Sequence, residues 1–304
     1  MDVEALKTFL AIHIAGGFSQ AAAALHRSQP AISRRIALLE DELRAPLFER
    51  TGGGVVLSEA GRALLPHAER VLAAVGDAAN AVASLRSGEA GVLPIAAVGT
   101  LASTNLTAVL QRFAKRAPKI AVTLRTATSD EVSALVRGGE ATIGLRYHDD
   151  PTPDLICHAI GLERLVVACA RTHRLANKTV AKFADLRSEK WLAFPLAPGR
   201  REASAQLVDA QFLMRGVAGF AWTPVDSLTA QKRLVEAGYG VVLLPESAIE
   251  EELGKTLATI RVRDLSAANP IFAVERKHGF MSGGAKHFLE ILMDEWREPQ
   301  RARK

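Results

Sequence analysis

Apolar residues recur at helical spacing in three short segments at the beginning of the chain. The first segment ends at Gly16-Gly17, the second covers residues 20–26 with Ser19 as its N-cap, and the third begins at Ser28. The third segment carries one apolar stripe, formed by Ile32, Ile36, Leu39 and Leu43. Glycines and a short apolar strand follow at residues 51–57, so the pattern predicts a small helical domain that ends in a β-hairpin.

A longer helical pattern follows over residues 58–88. Its apolar positions step alternately by four and three residues, at Leu64, Ala68, Val71, Val75, Ala78, Val82 and Leu85. A helix of this length spans roughly 45 Å, and so narrow a stripe favours pairing with the same helix of a second chain. The alternative is a core helix packed within one chain. Glycines at residues 88 and 91 predict the end of the helix and a hinge.

From residue 92 onwards, short apolar strands alternate with helices. The strands are predicted at residues 94–98, 120–125, 142–146, 165–170, 191–194, 240–244 and 271–274. Helices are predicted after the first two strands and near residues 200–214, 226–237 and 283–296. This alternation predicts a mostly parallel, helix-covered sheet with enough units for two small α/β lobes.

The segment from Phe18 to Leu43 has the layout of a helix-turn-helix. A helical wheel places the apolar stripe of the third helix on one side and Pro30, Ser33 and Arg34 on the other, with Gln29 in the first turn. Gln can pair bidentately with adenine, Ser can bond most base edges, and Arg can reach guanine or phosphate. The pattern predicts binding to double-stranded DNA, and the alternative is an exposed polar face of a structural bundle.

The charge distribution refines this prediction. The chain has 304 residues and a formal net charge of +5, which would fit a nucleic-acid partner if the charge were concentrated. Residues 1–90, however, are net −1 and the remainder is +6. The positions of individual arginines relative to the DNA groove therefore carry the prediction. The excess positive charge of the residues after 90 favours anionic ligands or keeps the surface soluble.

Several classes of protein do not fit the sequence. Cys157 and Cys169 give no disulfide framework and fit a reducing compartment. We see no signal peptide and no apolar run long enough to span a membrane, so we expect a soluble, cytoplasmic protein without membrane contact. The histidines lack ligand spacing, and dinucleotide and phosphate-binding motifs are missing, which predicts no metal site and no cofactor. No nucleophile and base are assembled, so we do not expect an enzyme.

Four motifs together carry a family resemblance: SQPAISR from Ser28, LFER from Leu47, EAG from Glu59 and GYGVVLLPES from Gly238. With them, the chain resembles the LysR-type transcriptional regulators over essentially its whole length. The resemblance implies a multidomain protein. Its parts are an all-α winged helix-turn-helix at residues 1–58, a linker and dimerisation helix with a hinge at 59–91, and an α/β, two-lobed, periplasmic-binding-protein-like effector domain at 92–304. The first lobe would comprise about 92–162 and 270–304, and the second about 163–269.

The resemblance also implies site residues and partners for the first two parts. The recognition helix and the wing would contact DNA through Ser28, Gln29, Pro30, Ser33, Arg34, Arg35, Arg50 and Thr51. The heptad stripe of the linker helix would form a homodimer, and the dimers would assemble into a homotetramer. Gly52-Gly53-Gly54 replaces the arginine that the family often has between its wing glycines, so contact of this wing with the minor groove stays open.

The two lobes would enclose a cleft for a small, anionic organic effector. Helices that begin at Gly99 and at Thr128 offer free N–H groups and hydroxyls, which suit a carboxylate. The predicted contacts are Thr100, Leu101, Ser103, Thr128, Phe194, Pro198, Gly199 and Arg200. The alternatives are plain N-caps and a solvated Arg200. A rival function is a solute-binding protein of a transport system, which uses the same two-lobed receptor.

Overall fold

The computed structural model describes residues 1–52, 54–87, 90–103, 106–180, 182–195, 213–214, 222–265 and 267–302. The chain divides into two compact units, and the main break lies between Arg86 and Ser87. Each unit has hydrophobic cores of its own. Within the described ranges, no helix has the length and apolar character needed to cross a membrane.

The N-terminal unit contains three short helices, a β-hairpin and one long helix. These are α1 (Val3–Ala15), α2 (Phe18–Ala24), α3 (Gln29–Leu43), β1 (Phe48–Thr51), β2 (Gly54–Leu57) and α4 (Glu59–Ser87). The side chain of Asp2 accepts a hydrogen bond from the N–H of Ala5 at 2.7 Å and so caps α1. Gly16 ends the helix in the left-handed conformation, with φ of 70°.

The N-terminal core forms where α1, α2 and α3 meet the hairpin. Phe9 and Ile36 are buried, and the ring centroids of Phe9 and Phe48 lie 5.3 Å apart. Ala21 and Ala22 are buried in the same core, so α2 can pack closely against its neighbours. This arrangement is the winged helix-turn-helix predicted from the sequence.

Two local expectations in this unit need correction. Helix α2 begins at Phe18 with Gly17 as its N-cap, and Ser19 is therefore inside the helix. The ring of Phe18 packs edge-on against Phe48 at 5.8 Å, a tertiary contact that no local pattern reveals. Leu43, predicted in the buried stripe of α3, is 39% exposed, because the helix ends at this residue.

Helix α4 has two environments along its 29 residues. Leu64 and Ala68 pack against the core of the N-terminal unit, and Ala68 is fully buried within its own chain. Ala68 therefore belongs to an intramolecular core, which corrects its assignment to a seam between chains, whereas Leu64 is half-buried and its place in the seam stays a prediction. The next members of the stripe are exposed, namely Val71, Val75, Ala78 and Val82. The side chain of Leu85 lies outside the described part.

The C-terminal unit alternates strands and helices, as predicted. Its elements are β3 (Gly91–Val98), α5 (Gly99–Ala102), α6 (Leu106–Arg116), β4 (Ile120–Ala127), α7 (Ser129–Arg137), β5 (Ile143–Tyr147), β6 (Leu155–Ala170), β7 (Thr179–Val180), β8 (Trp191–Ala193), β9 (Trp222–Pro224), α8 (Leu228–Glu236), β10 (Val241–Pro245), β11 (Leu257–Val262), β12 (Ala268–Arg276) and α9 (Gly283–Ala302). Two 3-10 turns cover Phe183–Leu186 and Glu246–Ile249. The helix predicted near 200–214 lies outside the described residues, apart from its last two.

One strand joins the two lobes of this unit. The first lobe has the strand order β4-β3-β5-β12-β6, and the second has β6-β10-β8-β9 with β11 also paired to β6. Strand β6 pairs with β12 as far as Arg164 and with β10 and β11 from Leu165 to Ala170. The sequence predicted only this second half as a strand, because polar residues such as His158 and Glu163 interrupt the apolar run of the first half.

Aromatic pairs mark the cores of the two lobes. In the first lobe, Phe113 of α6 meets Phe288 of α9 edge-on at 5.2 Å. In the second lobe, Trp191 of β8 packs against Phe183 at 5.3 Å. All four side chains are essentially inaccessible to solvent. Each lobe thus has a sheet covered by helices and a core of its own.

Candidate functional site

The outward side of α3 is the first candidate site. Ile32, Ile36 and Leu39 are buried in the N-terminal core, so the residues on the opposite side face solvent. Of the predicted contacts in this stretch, Ser28, Gln29, Pro30 and Arg34 are exposed, and Ser33 and Arg35 are half-buried. Pro30 lies in the first turn of α3, where its missing N–H costs no hydrogen bond.

Two of these side chains contact each other. The amide nitrogen Nε2 of Gln29 donates a hydrogen bond to Oγ of Ser33 at 3.0 Å. One amide proton and the amide oxygen of Gln29 therefore remain for a partner. A donor and an acceptor on one planar group are what adenine requires in the major groove.

Several hydrogen bonds hold the base of the hairpin after α3. The carboxylate of Glu40 accepts from the N–H of Leu47 at 2.6 Å, and the N–H of Ser58 donates to the carbonyl of Leu47 at 3.0 Å. The hydroxyl of Ser58 accepts from the N–H of Gly61 at 3.0 Å. These bonds fix the hairpin relative to α3 and α4.

The hairpin itself carries the two predicted wing contacts. Thr51 is exposed, and its hydroxyl donates to the carbonyl of Gly54 at 3.3 Å. Arg50 lies in β1 opposite Val55. Gly53, at the tip, lies outside the described residues. The wing and the amino end of α3 thus belong to one compact unit.

A cavity of about 460 Å³ between the lobes of the C-terminal unit is the second candidate site. The first lobe supplies residues from the loops after β3 and β4, and the second supplies residues from the ends of β8 and β10 and the start of α8. This placement agrees with the rule that α/β receptors bind ligands at the carboxyl ends of their strands. Hydroxyl-bearing side chains at the cavity are Thr100, Ser103, Thr126, Thr128, Ser129, Tyr147, Ser227 and Thr229.

The structure brings together only part of the predicted effector contacts. Four of them line the cavity, namely Thr100, Ser103, Thr128 and Phe194. Leu101 does not, because it is fully buried in the core of the first lobe, and its assignment is corrected. The predictions for Pro198, Gly199 and Arg200 fall outside the described residues.

A buried polar chain extends from the cavity to the strand shared by the lobes. Oγ1 of Thr100 lies 2.7 Å from Oη of Tyr147, which donates to Oε2 of Glu163 at 2.5 Å. The second oxygen of Glu163 accepts from the hydroxyl of Ser247 at 2.8 Å. Burial raises the pKa of Glu163. Burial and the neighbouring carboxylate raise the pKa of Tyr147 well above its usual value.

Helix α7 begins with a capping box at the cavity wall. The carboxylate of Glu131 accepts from the N–H of Thr128 at 3.0 Å and from its hydroxyl at 3.1 Å, and the hydroxyl of Thr128 accepts from the N–H of Glu131 at 3.3 Å. Within the described lining, the charged side chains are Glu131 and Asp226, both carboxylates. Thr128 thus acts as a helix cap, one of the alternatives open from the sequence.

Sequence reasoning missed Tyr147, Glu163 and Asn269, all of which are buried in strands. The predicted binding residues lie mainly at helix starts. A glutamate within an otherwise apolar strand was an available signal, because carboxylates are almost never fully buried without partners.

Neither cysteine has the environment of a reactive thiol. Burial, with the nearby carboxylate of Glu189, raises the pKa of Cys169 to about 11. Burial also raises the pKa of Cys157. Both thiols are therefore poor sources of thiolate near neutral pH.

A winged helix-turn-helix with an outward polar helix face, joined to a two-lobed receptor unit, defines the class of DNA-binding regulators with a receptor domain. Comparisons with known proteins specify the class. The family described as "Bacterial regulatory helix-turn-helix protein, lysR family" matches residues 3–62, and "LysR substrate binding domain" matches residues 86–297. The chain belongs to the LysR family of transcriptional regulators, which confirms the resemblance and the fold class predicted from the sequence.

Individual relatives agree with this assignment. The chain is 31% identical over 247 residues to the regulator TcbR of Pseudomonas sp. strain P51, covering 81% of this chain and 83% of that protein. It is similar to full-length CbnR complexed with its target DNA, at 28% identity and a TM-score of 0.57, covering 97% of this chain and 100% of the other. ArgP from Mycobacterium tuberculosis shares the fold, at 19% identity and a TM-score of 0.68 over 97% of both chains.

Proposed function

We propose that this regulator binds double-stranded DNA through residues 1–58, pairs with a second copy through residues 59–91, and receives a small organic effector in residues 92–304. The observation that carries the proposal is the exposed polar face of α3 on a winged helix-turn-helix fold. We place its action in the cytoplasm, where bacterial DNA lies.

The proposed DNA contacts are those at the amino end of α3 and on the wing, namely Ser28, Gln29, Pro30, Ser33, Arg34, Arg35, Arg50 and Thr51. Exposure of the α3 residues supports a helix lying in the major groove. CbnR, a relative of similar length, has been captured with its target DNA. In a dimer, two such helices would read half-sites about 34–36 Å apart.

The exposed half of α4 supports pairing between chains. Val75 and Val82 are 46% and 61% exposed, although valine ordinarily favours the interior. Their spacing of seven residues places both side chains on one stripe. We propose that this stripe, with Val71, Ala78 and Leu85, packs against its copy, and that the resulting dimers assemble into a tetramer.

The interlobe cavity supports the effector role. Its volume of about 460 Å³ fits a small organic molecule. A ligand that favours one arrangement of the lobes would shift the populations of regulator conformations and so the spacing of dimers on DNA. The prediction that the effector is an anion rests on the amino end of α7. The described lining does not favour an anion there, since the carboxylate of Glu131 already accepts from the N–H of Thr128.

The rival function, a solute-binding protein, shares only the receptor unit. The helix-turn-helix unit and its match to the LysR family over residues 3–62 favour the regulator. A gel-shift assay on promoter DNA at one fixed salt concentration separates the two functions, because a solute-binding protein would leave the DNA unshifted.

We expect Gln29→Ala to weaken binding to the specific site by about 1–3 kcal/mol, the value of a bidentate base contact. Binding to unrelated DNA should stay nearly unchanged, since it depends on phosphate contacts. Gel shifts with both DNAs at the same salt concentration measure the difference.

Gln111→Ala serves as the matched control for this change. Gln111 is exposed on α6 of the C-terminal unit, so the same amide is removed from a helix that is not proposed to contact DNA. Its gel shifts should match those of the unaltered protein. An equal loss on both DNAs in Gln29→Ala would remove the base-reading role of Gln29.

A further inference from the structure

The hydrogen bonds that connect Thr100, Tyr147, Glu163 and Ser247 have a defined direction. A carboxylate has no proton to donate, so both oxygens of Glu163 act as acceptors. Tyr147 donates to one of them, and Ser247 donates to the other. With its only proton directed to Glu163, the oxygen of Tyr147 can only accept from Thr100.

The direction of these hydrogen bonds determines whether the hydroxyl of Thr100 donates to the cavity or accepts from it. The single hydroxyl proton of Thr100 points to Tyr147, away from the ligand space, and leaves lone pairs for a ligand. Thr128 is in the same state, because its hydroxyl proton is directed to the carboxylate of Glu131 at 3.1 Å. Two cavity threonines that could donate to an anion are thus acceptors.

Asn269 strengthens the same conclusion. It lines the cavity, is 2% exposed, and lies opposite Glu163 in the pairing of β12 with β6. Among the described residues, its Oδ1 has no hydrogen-bond partner. A buried acceptor without a partner costs stability, and a donor group on a ligand would relieve that cost.

We propose that Glu163 is a positioning residue of the effector cavity, which makes Thr100 a hydrogen-bond acceptor and so selects effectors that present an N–H or O–H donor there. The proposal rests on the effector role proposed for the cavity. Because Glu163 bonds to Tyr147 of the first lobe and Ser247 of the second, the same carboxylate also ties the two lobes together. A ligand that donates to Thr100 leaves these hydrogen bonds intact. An anion at Thr100 needs a donor, so the hydrogen bonds from Thr100 through Tyr147 to Glu163 would have to change direction.

The protein has two tyrosines, and their NMR signals measure the direction of these hydrogen bonds. Tyr147 is buried in the chain of hydrogen bonds, and Tyr239 is 66% exposed. In full-length protein labelled with ¹³C at tyrosine Cζ, NMR should show two signals, assigned with Tyr239→Phe. Donation to a carboxylate should move the Tyr147 signal toward the tyrosinate position.

Glu163→Gln should move the Tyr147 signal back from the tyrosinate position, because an amide is a weaker acceptor than a carboxylate. Thr100→Val should move it the opposite way, since Tyr147 then loses a donor. The Tyr239 signal should stay in place in both variants, and circular dichroism shows that they are folded. If Glu163→Gln does not fold, Thr100→Val alone decides the direction. An unmoved Tyr147 signal in the folded variants would overturn the proposal.

A pair of matched probes tests the selection of donors. We expect 1-butanol, which can donate a hydrogen bond, to perturb the Tyr147 signal at a concentration about tenfold lower than butanone, which can only accept, the ratio that one mismatched hydrogen bond gives. Glu163→Gln should reduce this ratio, because its amide can donate and so allows the chain to reverse. A stronger or equal response to butanone, or no response to either probe, would overturn the selection. Gel shifts test DNA binding separately, so a failure of the proposed regulator function would leave the NMR result interpretable.

Discussion

Gly61→Ala is expected to destabilise the N-terminal unit by about 1–3 kcal/mol, as overpacking of a well-packed core does. A Cβ atom at this position would lie 2.1 Å from the carbonyl oxygen of Leu47. The backbone of Leu47 cannot easily move, because the carboxylate of Glu40 accepts from its N–H and the N–H of Ser58 donates to its carbonyl. The glycine of the EAG motif is therefore needed for the close approach of α4 to the base of the wing.

The chain offers a matched control on the same helix. Gly76 lies in α4, and a Cβ atom added there would have no neighbouring atom within 4 Å. Gly76→Ala should therefore stabilise the protein by about 1 kcal/mol through helix propensity alone. Because the same substitution on the same helix is expected to change stability in opposite directions, the difference between the two variants isolates the contact with Leu47. Equal effects of the two substitutions would contradict this account.

The position of the tryptophans makes the measurement specific. All three, Trp191, Trp222 and Trp296, lie in the C-terminal unit. Thermal unfolding followed by helix circular dichroism should show an earlier transition in Gly61→Ala, while the transition in tryptophan fluorescence should stay where it is. A shift of the fluorescence transition would mean that the change acts on both units.

Val75→Asp is expected to separate the paired chains. Burial of a valine contributes about 1.5–3 kcal/mol, and a dimer loses two such side chains and gains two facing like charges. We therefore expect the dissociation constant of the dimer to rise by about 100-fold or more. Sedimentation of the full-length protein measures this constant, and the same variant should lose its shift of a two-half-site DNA.

Asn80→Asp is the control for Val75→Asp. Asn80 is exposed on α4 and lies on the side of the helix opposite to the stripe, so it introduces the same charge away from the proposed seam. It should leave the association unchanged. A dimer that survives Val75→Asp would place the contact between chains elsewhere.

Much of the fold could be predicted from local pattern. The boundaries of α4 and of most strands differ from the predicted ones by a few residues, because spacing and glycine positions encode them locally. The start of α2 was misplaced, since it depends on the contact of Phe18 with Phe48. The first half of β6 was missed, since its partner β12 lies more than 100 residues away in the sequence.

The cavity was predictable only in outline. Helix starts after strands pointed to Thr100 and Thr128, which do line it. Leu101 was assigned with them, but the turn of α5 directs its side chain into the core. Tyr147, Glu163 and Ser247 are brought together from β5, β6 and the turn after β10, a convergence that no local spacing indicates.

The sequence by itself determined the family, the order of the parts and the polar face of α3, because these depend on short motifs and on helical periodicity. Only the tertiary structure decided which part of the α4 stripe is free for a partner, since Ala68 is buried in its own chain whereas Val75 is exposed. It also decided the polarity of the cavity. Whether a threonine donates or accepts depends on the neighbour that takes its proton, and that neighbour comes from a distant strand.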